Sequence, residues 1–164
     1  MIFGMTTFTF VHVVLSLIGI FSGFVVVLGL LAAKRLDGWT AIFLASTVLT
    51  SVTGFLFPFH GVTPGIVVGI VSMIVLAIAI PARYVFHLAS GWRRTYVITA
   101  MLALYLNVFV LIAQLFMKVP ALKALAPTQS EPPFKVSQLV VLIVFVALTI
   151  AAAKKFRGEQ LQAA

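Results

Sequence analysis

Apolar runs near residues 7–33, 39–57, 65–84, 95–116 and 136–153, broken only by short polar connections, leave this chain few folds to adopt. Each run is close to the ~20 residues that carry a helix across a ~30 Å hydrocarbon layer. Hydrocarbon offers the backbone no water, so each run has to satisfy its own N–H and C=O groups, which a helix does. Hydrophobic residues make up 63% of the 164 and charged residues 9%. A soluble domain is roughly half apolar and a quarter charged, and one of this size leaves much of its surface exposed. The expected fold is therefore all-α: a polytopic transmembrane bundle of about five spans, a single domain over residues 1–164 with the lipid bilayer as its solvent.

Charge sets the expected orientation. Lys34, Arg35, Arg83, Arg93, Arg94, Lys154, Lys155 and Arg157 fall on one side of the membrane, and Lys118, Lys123 and Lys135 on the other. Positive residues stay cytoplasmic, which predicts the N-terminus outside, the C-terminus inside and a multi-pass protein of the cell inner membrane. The net charge of +8 is thus spent at the ends of apolar runs and does not point to nucleic acid. Residues 1–10 carry no Lys or Arg and the first apolar run is long enough to span, so a retained helix is expected there in place of a cleaved signal. The absence of cysteine removes thiolate catalysis, disulfide exchange and Cys-ligated metals from this chain.

Two connections are longer than a turn. Residues 82–92 either extend the third helix or lie along the interface as an amphipathic turn. In 117–135, Pro120 to Pro127 can form a helical turn or two on the outer surface, and Thr128 to Pro133 is expected to be extended, since proline restricts the residue before it and lacks an N–H.

Small residues mark contact faces in lipid, where apolar surface gives helices no preference for one another. His12, Ser16, Gly19 and Gly23 share one face of the first helix, with Val26 and Leu30 expected off the contact. Ser46, Thr50, Thr53 and Gly54 share one face of the second, and Tyr96, Asn107 and Gln114 follow one stripe of the fourth. The fifth span is nearly featureless. Helices one to four are expected to form the bundle, with the GxxxG pair Gly19/Gly23 used within the chain or against a second copy or another membrane protein.

His12, His60, Asn107 and Gln114 are the candidate cofactor-binding residues. Each lies on the small or polar side of its helix, and an imidazole or amide at membrane depth must find a partner. His12 is expected to meet Gln114, and Asn107 the patch formed by Thr50, Ser51 and Thr53. Paired histidines can hold haem b, and a quinone or lipid headgroup would suit the same cluster. Arg83, Arg93 and Arg94, with nearby aromatic residues, form a belt suited to anionic lipid headgroups. No carboxylate lies within an apolar run, as ion-coupled transport usually requires, and no nucleophile–base, phosphate-loop or HExxH pattern is present, so no catalytic or metal residue is assigned. The expected role is a non-catalytic subunit or accessory protein of a membrane assembly, without a cofactor. A binder of haem b, quinone or lipid opening to the outer leaflet is the alternative, ahead of a small oligomeric transporter.

Overall fold

The computed structural model describes residues 6–58, 61 and 63–156. Its elements are α1 (Thr7–Leu31), α2 (Asp37–Phe55), α3 (Pro64–Tyr84), α4 (Trp92–Lys118), α5 (Pro120–Leu125) and α6 (Pro132–Lys155). All but α5 are long and apolar enough to cross a membrane, so the described chain is an all-helical bundle of five spanning helices.

Local chemistry sets the helix boundaries. The Thr6 hydroxyl accepts from the Thr9 N–H at 3.2 Å and opens α1. Thr63 does the same for Ile66 at 3.3 Å, ahead of Pro64, whose missing N–H costs nothing in a first turn. The end of α1 is a Schellman motif in which Lys34 N–H reaches Gly29 C=O at 2.8 Å and Ala33 N–H reaches Leu30 C=O at 3.2 Å. Ala33 takes the left-handed position (φ 54°), which stops the helix two residues short of the apolar run. The connection after α3 is a turn and not a helix continued to residue 92. Residues 85–91 make a tight turn with His87, Leu88 and Ser90 left-handed, and α4 starts at Trp92, so Arg93 and Arg94 lie in its first turn.

The segment expected to be extended is also a turn. The Glu131 carboxylate accepts from the Thr128 hydroxyl at 2.8 Å and the Ser130 N–H at 3.1 Å, which holds its carboxyl below the usual range, the Thr128 bond first. Pro132 and Pro133 then open α6, where their fixed φ favours the helix and their missing N–H groups have no intrahelical partner to lose. α5 supplies the short helix expected between prolines.

Helices α1, α2, α3 and α4 close a ring, and α6 lies in the groove between α4 and α1. The core comprises Val26, Val27 and Leu30 of α1, Phe43 and Leu44 of α2, Leu76 and Ala79 of α3, Tyr96 to Leu104 along one side of α4, and Phe145 of α6. Val26 and Leu30, expected off the contact face, are thus core residues: α1 is touched by both α2 and α4, and its buried arc is wider than one stripe. α6 buries Gln138, Phe145 and Ala152 and turns Val136, Leu139, Val140, Ile143 and Ile150 outward. Burial is concentrated toward the end that carries Lys34, Arg35, Arg93, Arg94, Lys154 and Lys155, here the basic end. At the opposite end, residues 7–18 of α1 and 64–71 of α3 contain no buried residue.

Candidate functional sites along the bundle

A polar seam runs between α1, α2 and α4. At its open end, Nδ1 of His12 lies 2.8 Å from the Thr53 hydroxyl. That hydroxyl donates to Leu49 C=O at 2.7 Å, so it accepts from His12 Nδ1–H, and the imidazole lone pair is left on Nε2. Gly54 lies against the ring, where a Cβ would make ordinary contact at 3.6 Å from His12 Cε1, and Phe57 packs edge-on at 5.1 Å. Nearer mid-membrane, the Asn107 amide donates to Thr47 Oγ1 at 3.2 Å. Gly19 faces this pair: a Cβ would be 3.2 Å from Ser46 Oγ, 3.3 Å from Thr47 Oγ1 and 3.7 Å from Asn107 Nδ2. Gly23, one turn on, faces Phe43 and Leu104. The GxxxG face is therefore occupied within the chain.

The four candidate ligands do not converge as expected. His12 bonds Thr53 and not Gln114. Asn107 bonds Thr47, one turn nearer the basic end than the Thr50/Ser51/Thr53 patch. Gln114 is on the exposed side of α4 and makes no hydrogen bond to His12. His60 lies outside the described residues. Between the two bonded pairs, the buried Thr50 hydroxyl has no partner among the described residues. Two glutamines that the sequence did not single out as ligands bind α4 instead: Gln138 donates to Phe109 C=O at 3.1 Å and Gln129 to Ala113 C=O at 2.6 Å. Their targets are main-chain carbonyls, which no side-chain pattern reveals.

The basic end is built around Arg83. Its guanidinium pairs with the Asp37 carboxylate at the start of α2 and lies over the Tyr96 ring at 5.3 Å and the Tyr84 ring at 5.8 Å. Arg83 is 5% exposed and so departs from the headgroup belt. A guanidinium this deep needs an acceptor, and Asp37 is the one acid the topology brings to this end among the described residues. Tyr96 is fully buried, its hydroxyl beside Thr40 and Arg83 without a well-aligned hydrogen bond. Arg93 and Arg94 lie further out, half-buried and exposed. No protein-family profile, curated protein or solved structure matches the chain.

Proposed function

We propose that this protein is a non-catalytic subunit or accessory component of a membrane assembly, inserted in the cell inner membrane with its basic end in the cytoplasm. The observation that carries this reading is where the interior polar groups go. His12, Asn107, Gln138 and Arg83 each bond a neighbouring helix, as helix–helix glue does. A photo-crosslinker at Ile143, on the outward face of α6, should give one discrete protein adduct in native membranes. The same label at Leu28 on α1 should give only lipid adducts. Lipid adducts at both positions would count against a partner on α6. Orientation has its own test: a reporter active only in the cytoplasm should work when fused after Ala164, and a periplasm-only reporter when inserted after Gln129.

The thin packing of α1 and α3 at the end away from the basic one supports a second reading, a binder of haem b, quinone or lipid entering from the outer leaflet. The Nε2 lone pair of His12 and the unpartnered Thr50 hydroxyl are the groups such a ligand would meet. His12→Ala separates the two. As glue, His12 contributes ~1 kcal/mol, so the variant should melt slightly earlier in detergent with an unchanged absorption spectrum and unchanged bound small molecules. Loss of a Soret band or of a co-purifying quinone would favour the second reading.

A further inference from the structure

His12 turns an unused polar atom toward the membrane. Its Nδ1–H goes to the Thr53 hydroxyl at 2.8 Å, and that hydroxyl is itself spent on Leu49 C=O, so the tautomer is set and Nε2 can only accept. Nε2 has no hydrogen-bond partner among the described residues, and it is not among the unpartnered atoms sealed in the bundle, since the ring is only half-buried. His12 lies roughly 8 Å along α1 from Thr7, at a depth where hydrocarbon has no donor to give it. We infer, resting on the second reading of the protein's function, that Nε2 accepts from the hydroxyl of a lipid-soluble quinol, the reduced form of the ligand and not the oxidised one.

The oxidation state follows from what an acceptor-only nitrogen can bind. A quinol carries an O–H that Nε2 can take. The matching quinone presents carbonyl oxygens alone, and two lone pairs facing each other form no bond while both lose their hydration. The aromatic head follows from what stands beside the imidazole. Phe57 packs edge-on against His12 at 5.1 Å, and Phe8, one turn before His12 on α1, packs edge-on against Phe57 at 4.9 Å. Rings at this spacing favour a flat aromatic head over a plain alcohol. Access from lipid breaks no buried contact of α1 here, because residues 7–18 contain no buried residue. Thr53 is a positioning residue in this arrangement, acting on the ligand only through the tautomer it imposes on His12.

The test is native mass spectrometry of the detergent-purified full chain titrated with decylubiquinol, decylubiquinone or decanol. Dithionite keeps the first reduced, and with no cysteine in the chain it has no disulfide to break. The quinol should bind one-to-one and about tenfold or more tightly than the quinone, which leaves Nε2 unpaired. Decanol keeps a hydroxyl on the same tail without the ring and should bind no better than the quinone. His12→Ala should bring the quinol down to the level of the quinone. Thr53→Val keeps the imidazole but removes the acceptor of Nδ1–H, so the ring can carry its hydrogen on Nε2 and the preference for quinol should largely disappear. A merely structural His12–Thr53 bond would lower the melting temperature of Thr53→Val and leave that preference intact, so this variant decides the matter if His12→Ala fails to fold. Equal binding of quinol and quinone by the unmodified chain, or an unchanged preference in Thr53→Val, would overturn the assignment and leave a binder of quinone-type heads standing. Decanol binding as tightly as the quinol would overturn the choice of an aromatic head. Binding of neither quinol nor quinone would overturn the second reading along with it.

Discussion

Gly23→Leu should destabilise the protein by about 3 kcal/mol or more in detergent, at the top of the range for overpacking a filled core. A Cβ at this position would already stand 2.5 Å from Leu104 Cδ1 and 3.0 Å from two ring carbons of Phe43. Neither neighbour can retreat, since both are 1% exposed and are held between three helices. Intrinsic propensity pushes the other way, because leucine is a better helix former than glycine by roughly 0.8–1 kcal/mol. The measured sign therefore reports which effect dominates, and the steric one should by a clear margin. Phe21→Leu is the comparator: its side chain is 64% exposed, so the change should fall within about 0.5 kcal/mol. Thermal unfolding of the two variants in one detergent is sufficient. Equal melting temperatures would mean that α1 does not close against α2 and α4 at Gly23.

The spans were legible in the sequence because lipid imposes a length and an internally bonded backbone, and both leave a mark in composition. Contact through Gly19 and Gly23 was legible for the same reason: only small residues let helices approach. The ends were less so. α1 stops early because Ala33 takes a conformation usually given to glycine, and no residue type announces that. The prolines at 132 and 133 open a helix because Glu131 closes the turn before them through its side chain. The seam was read in kind but not in register. His12 and Asn107 do face inward, yet the choice of Thr53 and Thr47 over nearby hydroxyls depends on how far α2 slides along α1 and α4, which pattern alone does not determine. Gln114 was misplaced because α4 is nearly all apolar toward its end, so a polar residue there looks interior whether or not a helix covers it.

The second large effect separates the two members of the ion pair at the basic end. Arg83→Ala should cost about 3 kcal/mol or more, and Asp37→Asn about 1 kcal/mol. The pair is asymmetric: the Arg83 side chain is 4% exposed and that of Asp37 79%. Asp37 remains largely in water, so the attraction it gains from Arg83 is screened, and asparagine keeps an oxygen to accept the bond. The guanidinium keeps that acceptor after Asp37→Asn and loses only a charge that solvent already screens. Arg83 has no such substitute. Its loss empties a space between α2, α3 and α4 and takes away the cation over the Tyr96 and Tyr84 rings. Arg83→Lys should recover only part of the loss, since an ammonium cannot lie flat over two rings and reach a carboxylate at once. Thermal unfolding of Arg83→Ala, Asp37→Asn and the double variant in one detergent completes the cycle. The double variant should fall close to Arg83→Ala alone, because once the guanidinium is gone the exposed carboxylate has little left to lose. If Asp37→Asn proved as costly as Arg83→Ala, the charge pair itself, and not the packing of a buried arginine among three helices, would be what holds the basic end together.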